Sequence, residues 1–172
     1  MNEEEEDSDM KTNENLMSAF AGESQANRKY LAFAKVAEKE GHRLAAKMFL
    51  AAAEAETIHA HAHLKAAGGI GDTASNLKSA VSGETYEFTQ MYPPFIDEAK
   101  AEGRDEAVRT FTYANEAEKV HARLFQEVLD KLGTDDGDEF FVCTVCGHVH
   151  KGTSAPEQCP ICGAKSAAYK MV

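Results

Sequence analysis

The sequence predicts a mainly α protein, a four-helix bundle followed by a small cysteine-bearing domain of knuckles and short strands. Three observations carry this. Residues 14–132 hold most of the alanine, leucine and charged residues, repeat apolar positions at three and four, and contain proline only at Pro93 and Pro94. Glu-x-x-His occurs twice in that region, as Glu56 with His59 and Glu118 with His121, 62 residues apart. All four cysteines fall in the last 30 residues as two Cys-x-x-Cys pairs.

Taken in order, residues 1–12 read as an acidic, disordered tail, because Glu3, Glu4, Glu5, Glu6, Asp7 and Asp9 precede the first basic residue, Lys11. Helices are expected near 14–40, 42–67, 74–101 and 104–131, punctuated by Gly41, the run from Gly68 to Asp72, and Gly103. The short connections after Gly41 and Gly103 join antiparallel neighbours, so residues 13–133 make the bundle. Pro93 and Pro94 should kink the third helix rather than end it. Residues 134–139, acidic and free of apolar side chains, form a linker. Residues 140–172 are too few to bury a core, so something other than hydrophobic burial holds them together.

The formal net charge of -11 argues against nucleic acid or an anionic membrane as partner, since both need basic surface. No stretch approaches 18 uninterrupted apolar residues, and the N-terminus lacks the basic start and apolar run of a secretory signal. A cytoplasmic protein is expected. Two clustered Cys-x-x-Cys pairs then point to a metal in a reducing compartment rather than to disulfides.

The helical halves echo each other. Glu23 and Glu84 are 61 residues apart, and Glu56 with Glu118 and His59 with His121 are each 62 apart. Residues three apart lie about 60° apart around a helix, so each Glu-x-x-His points a carboxylate and an imidazole into one groove. Glu54 and Glu116, two residues before each motif glutamate, lie about 160° away and should face solvent. His61 is similarly averted, and His63 reads as a core or rim histidine. One glutamate from each of two helices plus Glu-x-x-His from two others is the ligand set of di-iron and di-manganese bundles. Two hard cations need anionic oxygen donors, a carboxylate able to bridge, and imidazoles. Glu87, three residues after Glu84, is surplus to that set and has no counterpart in the first half, where Ala26 stands.

Cys143, Cys146, Cys159 and Cys162 form two knuckles, each followed by glycine, which lets backbone amides turn toward the sulfurs. Four thiolates suit one iron or one zinc, and spacing does not choose between them. His148 and His150 read as surface residues of the turn.

The stretches "AFAGESQANRKY", "AEAETIHA", "SGETYEFTQMYPPF" and "ANEAEKVHA", with "CTVCG" and "CPICG", make residues 14–172 resemble the rubrerythrins: a ferritin-like di-iron bundle, then a rubredoxin-like domain. The resemblance implies two irons in the bundle and one iron in the cysteine site. It makes Glu56 and Glu118 bridging ligands, Glu23 a terminal ligand of one iron, and Glu84 with His121 terminal ligands of the other. It implies that the first iron exchanges Glu87, when oxidised, for His59, when reduced, and that Tyr30 and Tyr92 hydrogen-bond the carboxylates. The implied activity is reduction of hydrogen peroxide to water in oxidative stress defence. Electrons would come from a reductase or rubredoxin through the rubredoxin-like iron, which in the homodimer approaches the other chain's di-iron site. A ferroxidase or iron-storage role and a non-catalytic zinc-ribbon module are the alternatives.

Overall fold

A computed structural model describes residues 3–134 and 137–172, with the side chains of 3–9 left aside. Helix α1 (Glu3–Lys39) and helix α2 (Arg43–Ala66) form an antiparallel pair. Next come α3 (Thr73–Tyr86), a π-helical turn (Glu87–Met91), α4 (Tyr92–Ala101) and α5 (Asp105–Asp130). Strands β1 (Glu139–Cys143), β2 (Val149–Gly152) and β3 (Tyr169–Met171) make an antiparallel sheet in the order β2-β1-β3, with a 3-10 turn at Ser166–Ala168. The expected fold class, mostly helix and then a small sheet bearing the cysteines, is borne out. Among the described residues no helix is long and apolar enough to cross a membrane.

From Glu3 onward the backbone is helical, which corrects the expected disordered tail. Glutamate is among the better helix formers, so an acidic run can extend a helix that the chain already nucleates downstream. Of the linker, Asp135 and Asp136 lie outside the described residues.

The chain divides into two compact units, Met1–Gly71 and Asp72–Val172. In the first, small side chains let α1 and α2 approach closely: Ala34 and Ala37 on α1, and Ala46, Ala53 and Ala60 at seven-residue spacing on α2, are buried. Asn27 donates to the Ala53 carbonyl (2.7 Å) and to Thr57 Oγ1 (2.8 Å), pinning the pair near its centre. The turn between them is a Schellman cap: Gly41 has φ 82°, His42 N–H donates to Ala37 O (2.8 Å), and Gly41 N–H to Glu38 O (3.1 Å). In the second unit α4 ends in the same way. Gly103 has φ 67°, Arg104 N–H donates to Ala99 O (2.9 Å), and Gly103 N–H to Lys100 O (3.1 Å).

The repeat extends to the aromatic clusters. Tyr30, Phe33 and Phe49 have ring centroids 6.4, 6.1 and 5.6 Å apart; Tyr92, Phe95 and Phe111, each 62 residues later, repeat this at 6.4, 6.2 and 5.7 Å. The one pair of motif residues offset by 61 is Glu23 and Glu84. The second half therefore carries one extra residue between Glu84 and Tyr92, and the π turn accommodates it. Its first residue is Glu87, whose carbonyl accepts from Tyr92 N–H. A π turn closes a five-residue step instead of four, so it absorbs a one-residue insertion and brings the helix back into register. Pro93 and Pro94 follow at the start of α4, where two missing N–H groups are tolerated, and helical backbone continues through them as expected.

In the second unit, α5 is tied to β2. Lys151 Nζ lies 3.0 Å from Glu127 Oε1 and 3.7 Å from Asp138 Oδ2. The knuckles repeat one backbone pattern. Cys143 N–H donates to His148 O (2.8 Å) and Gly147 N–H to Cys143 O (2.9 Å), just as Cys159 N–H donates to Ala164 O (2.7 Å) and Gly163 N–H to Cys159 O (2.9 Å). Gly147 and Gly163 have φ of 81° and 74°, a conformation that costs an L-residue about 1–2 kcal/mol. At Gly163 a Cβ would meet only Gln158 Nε2, at an ordinary 3.5 Å. Gly163→Ala is therefore expected to destabilise the zinc-loaded protein by about 1 kcal/mol through backbone strain alone, read by denaturant titration. An unchanged midpoint would mean that the knuckle relaxes its backbone freely.

Candidate functional site

Each unit gathers one Glu–Glu–His set. In the first, Glu23 comes from α1, and Glu56 and His59 come from adjacent turns of α2. His59 Nδ1 stands 3.0 Å from Glu56 Oε2 and 3.9 Å from Glu23 Oε1. In the second, Glu84 comes from α3, and Glu118 and His121 from α5. His121 Nδ1 stands 2.6 Å from Glu118 Oε2 and 3.6 Å from Glu84 Oε2. Ligands bonded at about 2.0–2.2 Å to one cation stand about 3–4 Å apart, so both sets have the span of a metal site.

Their electrostatics point the same way. Glu23 is raised above the usual carboxylate range, first by a hydrogen bond to Glu56 and then by burial, while that bond and one to His59 hold Glu56 low. Burial and then a hydrogen bond to Glu118 push Glu84 up to about 7. Burial raises Glu118, but hydrogen bonds from His121 and Glu84 outweigh it and hold it low. In each set two carboxylates share one proton because nearby like charges resist joint ionisation. A divalent cation can take the place of that proton, and the donor set is the hard oxygen and imidazole mixture that iron accepts.

Glu87 lies outside these groups of three. Burial and then the negative charge of Glu118 raise it, with His121 opposing, so it faces the second set without joining it. Tyr92 is raised by burial and then by the charges of Glu118, Glu87 and Glu84, so its hydroxyl lies within the field of these carboxylates. Tyr30 packs on Phe33 and Phe49. Glu54 is exposed, and Glu116 pairs with Lys119, both averted as helical phase requires. His61 is exposed, and His63 is near enough to Glu23 for their charges to interact.

The four cysteines converge. Cys143 Sγ and Cys162 Sγ are 3.7 Å apart, and Cys146 Sγ and Cys159 Sγ 3.5 Å. Metal–sulfur bonds of about 2.3 Å in a tetrahedron separate sulfurs by about 3.8 Å, so the cluster fits one ion. The glycine turns deliver the expected amides. Cys162 and Ile161 N–H point at Cys159, Ala164 N–H at Cys162, and His148 N–H at Cys146. Burial would raise Cys159, yet these amides, with Tyr169, bring it down to about 6.

His148 corrects the expectation of a surface residue, being only 5% exposed. Its Nδ1 is 2.7 Å from the Tyr169 hydroxyl, and its ring meets that of Tyr169 edge-on. Because Tyr169 also donates to Cys159, His148 supplies the proton between them, and the pair braces the second knuckle from the first. Tyr169 and the Gly147 carbonyl, which His121 Nε2 contacts at 3.0 Å, were missing from the sequence reading. Gly147 directly follows Cys146, whereas nothing in the sequence marks Tyr169, seven residues after Cys162.

Comparison with known proteins agrees with this construction. The rubrerythrin family model matches residues 14–129, and that of the rubrerythrin rubredoxin-like domain matches residues 141–170. The chain is 40% identical to nigerythrin of Nitratidesulfovibrio vulgaris over 88% of its own length and 81% of that protein's. It is 36% identical to rubrerythrin-2 of Clostridium acetobutylicum over 90% and 93%. Among solved structures it is similar to partially reduced nigerythrin, with TM-score 0.58 and 37% identity over 94% of this chain and 86% of that one. Fully reduced, all-ferrous nigerythrin gives the same TM-score at 36% identity and the same coverage. The chain belongs to the rubrerythrin family and carries that family's rubredoxin-like domain.

Proposed function

We propose that the protein is a non-haem di-iron peroxidase that reduces hydrogen peroxide to two waters, using two electrons relayed through the cysteine-bound iron and two protons. The observation that carries this reading is the union in one chain of two Glu–Glu–His sets with a four-thiolate site. An electron-transfer centre has a use beside a redox catalyst and none beside a storage shell. The reducing partner is a reductase or rubredoxin, and the working form is a homodimer.

Bound irons would supply the electrons that cleave the O–O bond. Glu56 and Glu118 would be the shared ligands of the two irons, Glu23 would hold one of them and Glu84 with His121 the other, and Glu87 and His59 would serve the first in turn, the hard carboxylate suiting ferric and the imidazole ferrous iron. Tyr92, held protonated by burial and by the charges of Glu118, Glu87 and Glu84, would steady the carboxylates as the charge between them changes. Tyr30 takes the same part in the first half.

Removing the relay tests the reading. Cys143→Ser with Cys159→Ser should lower reductase-driven peroxide turnover about tenfold or more while leaving the iron bound by the helices in place. Equal turnover would remove the cysteine centre from the path.

Glu84 and Glu87 separate in a second test. Glu84→Ala leaves His121 and the bridges alone on one iron, so that iron is expected to be lost in both oxidation states. Glu87→Ala should retain two irons when reduced, through His59, and lose affinity only for the ferric form. Iron counts on both variants in both states decide this, and identical loss would end the exchange of ligands.

Because burial and Glu118 hold Glu84 protonated up to about pH 7 in the metal-free protein, ferrous iron must displace that proton below this pH. Apparent affinity is expected to fall about tenfold per pH unit below about 7 and to level off above it, measured by chelator competition. A flat profile between about pH 6 and 8 would contradict the shared-proton account.

A further inference from the structure

His148 and Ala164 hold equivalent places in the two knuckles, each presenting its carbonyl to the N–H of the first cysteine, Cys143 at 2.8 Å and Cys159 at 2.7 Å. The first knuckle therefore carries an imidazole where the second carries a methyl group. That imidazole is buried, and its Nδ1 lies 2.7 Å from the Tyr169 hydroxyl. Tyr169 opens β3 opposite Cys143 of β1, and the carbonyl of Ala168 just before it accepts from both the N–H (2.9 Å) and the Oγ1 (2.8 Å) of Thr144. The phenol is thus anchored through its own backbone, and its hydroxyl reaches Cys159. Cys146 and Cys162 accept from the amides of His148 and Ala164, whereas Cys159 accepts from the amides of Ile161 and Cys162 and from this side chain as well. A phenol carries one hydrogen. Because the sulfur takes it, the hydrogen between Nδ1 and the oxygen comes from the ring, so both bonds run toward Cys159.

We propose that Tyr169 and His148 are positioning residues that raise the reduction potential of the iron bound by the cysteines. Reduction adds one electron to that site, ferric to ferrous, and leaves one more negative charge to be shared by the four sulfurs. A hydrogen bond into a sulfur stabilises the more negative form more, so each donor moves the couple toward ferrous iron. A neutral hydroxyl donating to an anion makes a bond about twice as strong as one between neutral groups. The His148 bond into the phenol oxygen polarises the O–H that follows it, so the two donors act in series on one sulfur. The inference rests on iron at the cysteine site and not on the peroxidase reading, because the potential belongs to that site whatever the bundle reduces.

Ferric iron on four thiolates is red, so stepwise reduction of the full, iron-loaded chain reports the couple by its colour. Tyr169→Phe keeps the ring that packs on His148 and removes only the hydroxyl. At the solution potential that half-reduces the wild type, this variant is expected to show a ferrous-to-ferric ratio about tenfold lower, a fall of about 59 mV for a one-electron couple. A ratio lowered by less than about threefold, or raised, overturns the proposal. His148→Leu leaves the hydroxyl without its donor and should lower the ratio about threefold, while His148→Asn, which presents a side-chain N–H near the place of Nδ1, should bring it back to within about twofold of the wild type. An asparagine variant no better than the leucine one would reduce His148 to packing and overturn the pair. Should Tyr169→Phe fail to hold iron, the imidazole nitrogen spectrum of zinc-loaded wild type decides. Hydrogen on Nδ1 of His148 supports the proposal; hydrogen on Nε2 alone reverses the bond to the hydroxyl, draws its hydrogen away from the sulfur and overturns it.

Discussion

The repulsion between paired carboxylates is the constraint that organises this chain. Glu23 with Glu56, and Glu84 with Glu118, are brought together on facing helices, close enough that their like charges resist joint ionisation. Without a cation each pair holds a proton, and the raised Glu84 and depressed Glu118 are two sides of that sharing. A helix pair built so would be a poor choice for stability alone. It becomes reasonable once cations balance the charge, and the histidine one turn after Glu56 and after Glu118 sets a donor without net charge beside each pair of carboxylates.

Duplication explains how such a constellation arises from little information. One helix pair, with its Schellman glycine, its Tyr-Phe-Phe cluster and its Glu–Glu–His set, is used twice at an offset of 62. The second use differs by a single inserted residue, and the π turn at Glu87–Met91 confines the consequence to one turn of helix. Glu87 sits at the start of that turn, so the surplus carboxylate lies in the stretch that holds the extra residue. The local backbone departs from α geometry at the point where the two halves acquire different chemistry.

This accounts for what could be read in the sequence. Periodicity, glycine punctuation and the Glu-x-x-His spacing are local signals, and with them the helices, the six residues of the two Glu–Glu–His sets and the clustering of the four cysteines were legible. The extension of α1 through the acidic run was not, because composition alone does not distinguish a solvated tail from the outer turns of a helix. Nor was the burial of His148, which depends on Tyr169 arriving from a strand 21 residues later, a pairing with no periodic trace. The π turn was hidden in plain view, as the difference between 61 and 62.

The knuckles add a second physical point about sulfur charge. Four thiolates near one another would repel as the carboxylates do, and here the compensation is backbone. Amides of Ile161, Cys162, Ala164 and His148 point at the sulfurs because Gly147 and Gly163 take the left-handed turn. Amide donors stabilise charge without carrying a net charge, so they favour the thiolate while leaving the metal free to change oxidation state. The same peptide that serves Cys146 with its N–H presents its carbonyl to His121. A change of charge on the sulfur therefore polarises the peptide and reaches the imidazole. The turn that makes the cysteine site stable also connects it to the carboxylates.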